Sequence, residues 1–298
     1  MFWPVSRPSQ RAQGVSVGRP ATTKGTGENA LSYGLSFTNI VSSFMKNTVA
    51  LSMLAMLLVT GPVFAAEPAP EKTATFSICA ADPETGLCGA AVASKYPAVG
   101  RVVPYVRAGV GAFCTQHHHV PQWGEPVLDL LAAGSRPDDI LAELLKKDKH
   151  PEQRQLGIVD MLGQTAIHNP TAAGEGSRYW GAMTGRHYCV QGNTLAGREV
   201  ITNMAAGYED TKGSFTDRLL ASLLAGDNVG GDHRGRLAAG IRVAKTGVEG
   251  YWFELYVDDS ADAVVDLLTK YAERKHEAKG QWNVQTALEE SALKRSEK

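Results

Sequence analysis

The sequence predicts an α+β fold in which two mainly antiparallel β-sheets pack face to face with helices on the outside. Segments typical of strands and of helices come in blocks along the chain and do not alternate as βαβ units do, which argues against a parallel sheet. The first predicted strands carry apolar or small residues at nearly every position, so both faces of their sheet should be covered. With 298 residues, 43% of them hydrophobic, the chain can bury a substantial core.

The first predicted strand, TFSICAA, is followed by the turn DPETG and a second strand, LCGAAVAS. An Asp-Pro pair that opens a turn and a Gly that closes it are typical of a hairpin, because proline fixes φ and glycine accepts a positive φ. Two further strands, RVVPYVRA and GVGAFCTQ, are predicted on either side of Gly109.

Two helices, four strands, two helices, a strand pair and a last helix are predicted to follow. GEPVLDLLAAG predicts a helix that ends at Gly134, and the next helix is expected to begin with Ser135 as its N-cap and Asp138 three residues later. Ser214 is the predicted N-cap of a later helix. The remaining predicted elements are the strands RQLGIVDM, QTAIH, YWGAMTG and HYCVQGN, helices at about 197–210 and 214–226, a strand pair at about 236–257, and a helix from Asp262.

The N-terminal part of the chain has the features of a secretory leader. Residues 1–44 show no apolar periodicity, and we interpret them as an untranslated or disordered extension, with translation beginning at Met45. Residues 45–65 have a short positive start, an apolar run and small residues before the expected cleavage point, as a signal peptide does. Gly61 and Pro62 end the run before the ~20 apolar residues that a membrane anchor needs.

We therefore expect a periplasmic or secreted protein with no stable membrane anchor. The predicted organisation is a linker at 66–74, one folded domain at 75–278, and a charged helical tail at 279–298 whose surface is solvated. The formal net charge of −1 removes the main electrostatic reason to expect a nucleic-acid partner. The expected partner is a small-molecule or peptide substrate, no cofactor is called for, and a homo-oligomer remains an open alternative.

Four cysteines are compatible with an oxidising compartment, where four thiols can form two disulfides. We predict at least one bridge, with Cys79–Cys88 and Cys114–Cys189 as the favoured pairs. Cys79 and Cys88 flank the first turn, whereas Cys114 and Cys189 each come just before a group of polar residues at a strand end. The alternative is that all four are buried free thiols, which behave as small hydrophobic residues.

Five ordered segments together resemble domain of unknown function 1028, a family related in fold to the N-terminal nucleophile (Ntn) hydrolases. The resemblance covers about 75–270 and rests on TFSICAADPETGLCGAAVASK, VVPYVRAGVGAFCTQ, RQLGIVD, YCVQGNTLAG and GGDHRGR. It implies a four-layer α/β/β/α sandwich, and it aligns Thr75 with a threonine that members of the family often carry directly after the initiator methionine.

Thr75 is the candidate nucleophile. A threonine hydroxyl needs a base to remove its proton, and an N-terminal threonine carries that base as its own α-amine. Because Thr75 follows the linker, a processing step beyond signal-peptide cleavage would be needed to free this amine. Lys95 and Ser94, at the end of the second strand, are the candidate groups that tune or orient the nucleophile. The alternative is that Thr75 is an ordinary β-branched strand residue.

Candidate substrate contacts come from two strand ends and one loop. Side-chain amides at these places can hydrogen-bond a substrate carbonyl or build an oxyanion hole, and a glycine between them permits close backbone approach. The loop GGDHRGR can hold an anionic or amide substrate. Ordinary turn and strand-end hydrogen bonding is the alternative explanation. The predicted contacts are Thr115, Gln116, Gln191, Gly192, Asn193 and Asp232.

The leading function is hydrolysis of amide-type C–N bonds by an exported enzyme. A non-catalytic periplasmic ligand-binding domain with the same fold is the first alternative. The second alternative is a metal-dependent hydrolase that uses His117 and His119, which share a face if the segment is a strand. No HExxH motif or second Cys/His cluster accompanies the histidines, so a metal site is not the primary expectation.

Overall fold

The computed structural model describes residues 72–73, 75–171 and 175–296. The predicted extension and signal peptide, and most of the predicted linker, lie outside the described residues. Eleven strands are described in two antiparallel sheets: β1 Lys72–Thr73, β2 Thr75–Asp82, β3 Leu87–Ser94, β4 Pro104–Arg107, β5 Gly111–His118, β6 Arg154–Asp160, β7 Thr165–His168, β8 Tyr179–Gly185, β9 Tyr188–Leu195, β10 Ala238–Lys245 and β11 Phe253–Val257.

The larger sheet has six strands in the order β11-β10-β3-β2-β9-β8. Its two central strands form the predicted hairpin, in which Thr75 at the start of β2 lies opposite Ser94 at the end of β3. The smaller sheet is centred on β5, which pairs with β6 on one edge and with β4 and the two-residue β1 on the other. The chain therefore passes from the smaller sheet to the larger one between β1 and β2.

Seven α-helices are described: α1 Val99–Val102, α2 Gly124–Ala132, α3 Pro137–Lys147, α4 Glu199–Asp210, α5 Phe215–Asn228, α6 Ala263–Arg274 and α7 Val284–Ser296. Helices α2 and α3 pack on the outer face of the smaller sheet, where Leu128 and Ile140 meet Phe113 of β5. Helices α4, α5 and α6 cover the outer face of the larger sheet. Each such buried large side chain contributes about 1.5–3 kcal/mol relative to exposure.

Strand alternation separates the core into layers. Along β2, Phe76 and Ile78 pack against the helices, whereas Cys79 and Ala81 face the space between the sheets. The core between the sheets consists mainly of Ala, Val and Cys side chains, so the sheets are close together. Helices, sheet, sheet and helices are thus stacked in four layers, which confirms the predicted α+β sandwich of two antiparallel sheets.

Of the two N-cap residues predicted from the sequence, one is confirmed and one is wrong. Ser214 caps α5, as predicted, and Asp217 completes a capping box that was not predicted. Ser135 is not the N-cap of α3, because the helix begins at Pro137 with Arg136 in the cap position and no side-chain cap. Proline in the first turn needs no hydrogen-bond partner for its nitrogen, so it sets the boundary here.

Asp217 also joins distant parts of the chain. Its carboxylate is fully buried and accepts hydrogen bonds from the Tyr271 hydroxyl of α6 (2.6 Å) and from the backbone N–H groups of Gln281 (2.7 Å) and Trp282 (3.2 Å). The start of α5, helix α6 and the segment before α7 are therefore held by one side chain.

The predicted C-terminal tail forms the expected helix, α7, but one side of it is anchored to the domain. Val284 and Ser291 are buried, and the Ser291 hydroxyl bonds the side chain of Asn228 at the end of α5. Arg295 forms an ion pair with the buried carboxylate of Asp227. This segment is part of the folded domain, unlike the solvated tail that its charge suggested.

The predicted pairs Cys79–Cys88 and Cys114–Cys189 are both absent, since all four cysteines are free and buried. The pair Cys79–Cys88 is wrong because Cys79 lies opposite Ala90 on β3 and Cys88 lies opposite Ala81. Cys79 instead lies directly across from Cys189 of β9, with 3.1 Å between the sulfurs. Hydrogen bonding to Cys114 and Cys189, with burial, raises the pKa of the Cys79 thiol, and burial raises that of Cys88 to about 12.

Among the described residues, no helix combines the length and the apolar character needed to cross a membrane.

Candidate functional site

Thr75 lies at the end of the space between the two sheets. It is fully buried, and its position in β2 has the same parity as Ser77 and Cys79, which face the smaller sheet. Its hydroxyl is 3.4 Å from the hydroxyl of Ser94, directly across the hairpin. Two of the three predicted catalytic residues are therefore in contact.

Ser94 and Lys95 begin the segment that follows β3. The Ser94 hydroxyl accepts a hydrogen bond from the Tyr96 N–H at 2.9 Å, which fixes it beside Thr75. The Lys95 side chain is exposed, while its backbone N–H donates to Asp232 at 3.2 Å. This hydrogen bond ties the end of β3 to the loop that precedes β10.

Asp232 is buried, and its carboxylate is fully engaged in organising that loop. It accepts from the backbone N–H of Arg234 and forms a two-oxygen contact with the Arg234 guanidinium, at 3.1 and 2.8 Å. The next arginine, Arg236, forms an ion pair with Asp227. Asp232 is thus in place to shape the loop beside Thr75 and Lys95, and a substrate would compete with Arg234 for it.

Gln116 reaches from β5 towards Thr75. Its amide nitrogen is 3.4 Å from the backbone carbonyl of Thr75, and its amide oxygen accepts a hydrogen bond from the Ser77 hydroxyl at 2.6 Å. This predicted substrate contact directly links the smaller sheet to the strand that carries Thr75.

Gln155 of β6 is the centre of the polar network between the sheets. Its amide oxygen accepts from Gln116 (2.8 Å) and from Asn193 (2.9 Å), and its amide nitrogen donates to Asn169 (2.7 Å) and to the backbone carbonyl of Gly192 (2.9 Å). Gln116 and Asn193 therefore orient each other through Gln155. The site has a rigid polar wall because these amides are satisfied internally.

Gln155 and Asn169 were not among the residues predicted from sequence. The available signal was Gln155 itself, a polar side chain within the otherwise apolar strand RQLGIVD, where a buried amide must find hydrogen-bond partners. Those partners, which include the Gly181 carbonyl of β8 at 3.3 Å, come from three other strands and a loop, and their arrangement depends on the packing of the sheets.

Gln191 and Gly192 lie on β9 beside this network. The Gln191 amide nitrogen is 3.5 Å from the Cys114 carbonyl, and its side chain packs over Gly157 of β6. A side chain at Gly192 would meet Leu195 at 2.8 Å and the Cβ atom of Phe76 at 3.1 Å. The packing of the larger sheet therefore accounts for this glycine.

The remaining candidates, Thr115 and the two histidines of the metal alternative, lie in the last part of β5 and directly after it. The Thr115 hydroxyl accepts a hydrogen bond from Val120 N–H. His117 has a positive φ of 67° that interrupts strand alternation, and its Nδ1 contacts the Gln153 carbonyl, while Nε2 of His119 contacts the Val102 carbonyl. Within the described ranges, no group of three His, Cys, Asp or Glu side chains is arranged to hold a metal ion.

Replacement of Gln155 by leucine should destabilise the domain by about 3 kcal/mol, because the donors of Gln116 and Asn193 would stay buried without their acceptor at roughly 1–3 kcal/mol each. Urea unfolding monitored by circular dichroism measures the change. Gln122→Leu, at an exposed position, is the matched control and should have little effect. A loss below about 1 kcal/mol for Gln155→Leu would contradict a central role for this amide.

A family model described as "Family of unknown function (DUF1028)" matches residues 75–267. The crystal structure of protein SPO2555 from Silicibacter pomeroyi, which carries the same family label, is similar in fold, with a TM-score of 0.61 and 27% sequence identity. The similarity covers 72% of this chain and 93% of that one. No curated protein matches the chain.

Proposed function

This chain belongs to the DUF1028 family, and from that premise we propose that it is an exported hydrolase of amide-type C–N bonds whose nucleophile is Thr75. We also propose that its sandwich is related to that of the Ntn hydrolases. The observation that carries the proposal is the place of Thr75: the first residue of a central strand, its hydroxyl beside Ser94, at the polar end of the space between the sheets.

The chain path supports a role for processing. β1 pairs with β5 in the smaller sheet, where Thr73 lies opposite His117, and the next strand starts in the larger sheet at Thr75. While β1 is attached, the nitrogen of Thr75 is a peptide nitrogen and cannot accept a proton. Cleavage before Thr75 would convert it into an amine with a pKa of about 7.7–8.0, able to act as the base for its own hydroxyl.

The neighbouring groups fit this chemistry. As the amine takes the hydroxyl proton, the Thr75 oxygen attacks the amide carbon, and the amine then returns a proton to the departing nitrogen. The oxygen of the tetrahedral intermediate carries negative charge and needs hydrogen-bond donors. The amide nitrogen of Gln116, 3.4 Å from the Thr75 carbonyl oxygen, is the candidate donor. Water then releases the acyl group from Thr75.

The proposal is tested by determining the N-terminal residue and the hydrolytic activity of the same protein sample. The full chain is produced with export, and the soluble extracytoplasmic fraction is analysed by intact-mass spectrometry and assayed against a panel of amino-acid amides, N-acyl amino acids and dipeptides. We expect a species that begins at Thr75 and hydrolyses at least one of them. Activity in a species that still carries Glu71 to Ala74 would eliminate the free-amine mechanism.

A non-catalytic periplasmic ligand-binding protein is the second candidate. It is favoured by the internal satisfaction of the amides of Gln116, Asn193 and Gln155, which leaves them committed to one another. In that case the exported protein would begin at Ala66 or a nearby residue, would retain β1, and would hydrolyse no member of the panel.

A further inference from the structure

A cavity of about 410 Å³ lies at the opposite end of β2 from Thr75. It is open to solvent on one side and is lined by the turn between β2 and β3, the turn between β8 and β9, the end of α4 and the first turns of α5. This volume falls in the range of about 300–1,000 Å³ that small-molecule sites occupy. Charged side chains of both signs line it: Asp82, Glu84, Arg186, Glu209 and Arg218.

Arg218 is held by contacts that leave part of its guanidinium unused. Its Nε donates to the backbone carbonyl of Tyr208 at 3.0 Å, and the guanidinium carbon lies 4.0 Å from the centre of the Tyr208 ring. Within the described part of the chain, its two terminal nitrogens make no further hydrogen bond or ion pair. These nitrogens form the planar fork that binds a carboxylate through two parallel hydrogen bonds.

Two carboxylates are held in a comparable way by neutral groups. One oxygen of Asp82 accepts the backbone N–H groups of Glu84 (3.1 Å) and Thr85 (3.3 Å) in the turn. One oxygen of Glu209 accepts the hydroxyl of Tyr188 at 2.6 Å. Among the described residues, the second oxygen of each carboxylate has no hydrogen-bond partner. Each of these oxygens can therefore accept a hydrogen bond from a ligand.

The opposite charges around this cavity do not neutralise each other. Across the described residues, none of Asp82, Glu84, Glu209, Arg186 and Arg218 forms an ion pair within 4.0 Å. Arg218, Asp82 and Glu209 are each fixed by a neutral partner, which keeps cation and carboxylates apart in advance of any ligand. Such preorganisation reduces the conformational entropy that these side chains lose when a ligand binds.

We propose that this cavity is a binding site for a small zwitterion, a free amino acid or a short peptide with both ends free. Its carboxylate binds the fork of Arg218 with Arg186 beside it, and its ammonium group binds the free oxygens of Asp82 and Glu209. The site is separate from Thr75 and does not depend on amide hydrolysis. An anion or a cation alone satisfies only half of the lining, whereas a zwitterion satisfies both halves.

The test is titration calorimetry at pH 7 with L-alanyl-L-alanine, its N-acetyl derivative and its C-terminal amide. The protein is the full chain carrying Thr75→Ala, so that the proposed hydrolysis neither consumes the dipeptide nor affects the result. We expect the dipeptide to bind, and each blocked derivative to bind at least ~10-fold more weakly, since each lacks one charged hydrogen-bonding end.

Variants identify the site. Arg218→Met and Asp82→Asn should each weaken dipeptide binding ~10-fold or more, and the asparagine retains the oxygen that accepts the turn N–H groups. Arg186→Met, at an exposed position, gives a second measurement that does not endanger folding. Arg198→Met, an exposed arginine at the other end of α4, is the control and should not change binding.

Three results would overturn the proposal: no dipeptide binding up to about 10 mM, equal binding of the dipeptide and its blocked derivatives, or unchanged binding in the Arg218, Arg186 and Asp82 variants. The last result would assign the dipeptide to another site, including the one at Thr75. The activity assay of the processed protein is unaffected by any of these outcomes, so the two proposals fail separately.

Discussion

Thr75→Ala should reduce amide hydrolysis by the exported protein at least ~1,000-fold, which corresponds to ~4 kcal/mol of activation free energy. The substitution removes the oxygen that would attack the amide carbon and leaves the surrounding polar network in place. The rate constant kcat/KM is measured with the best substrate of the panel.

Two matched variants make this result specific. Thr75→Ser keeps the hydroxyl and should retain most of the activity, whereas Thr184→Ala, at an exposed position on β8, should retain all of it. If Thr75→Ala and Thr75→Ser lose activity equally, the residue contributes through packing and the hydroxyl is not the nucleophile. Full activity in Thr75→Ala would end the nucleophile hypothesis.

Asp217→Ala should destabilise the domain by about 4 kcal/mol or more. Its carboxylate accepts hydrogen bonds from Ser214 N–H, Tyr271 Oη, and the backbone of Gln281 and Trp282. Each buried donor left without an acceptor costs roughly 1–3 kcal/mol. The Ser214 hydroxyl still accepts the backbone N–H of residue 217, so only the Ser214 N–H half of the capping box is lost. Thermal and urea unfolding of the variant and the parent protein measure the difference.

Tyr271→Phe is a smaller change to the same hydrogen-bond network. It removes one donor and leaves the carboxylate with its backbone partners, so the expected loss is about 1–2 kcal/mol. Asp210→Ala, at the exposed end of α4, is the control for removal of a negative charge and should change stability by less than about 0.5 kcal/mol. If Asp217→Ala lowers the free energy of unfolding no more than the control does, the network does not stabilise the domain.

Local sequence signals predicted most of the elements. The turn DPETG produced the hairpin of β2 and β3, and the hydroxyl of Ser214 and the carboxylate of Asp217 produced the capping box of α5. These features depend on residues within a few positions of each other. Ser135 failed as a cap because Pro137 two residues later is a stronger boundary signal.

Features that depend on distant partners were not predictable in the same way. The relation of Cys79 to Cys189 follows from the pairing of β2 with β9, which the sequence does not specify. The central role of Gln155 follows from the close packing of the two sheets. Thr75 and Ser94 were predicted together, and they meet because both belong to one hairpin, whose register is set locally.

The strand order of the larger sheet bears on how fast the domain can fold. β2 pairs with β9, so that Cys79 contacts Cys189, 110 residues further along the chain, and β3 pairs with β10. Contacts of such long range carry a loop-closure cost before they stabilise anything, and domains rich in them fold in milliseconds to seconds. At a synthesis rate of about 5–20 residues per second, the surroundings of Thr75 cannot assemble until β9 has emerged, many seconds after β2.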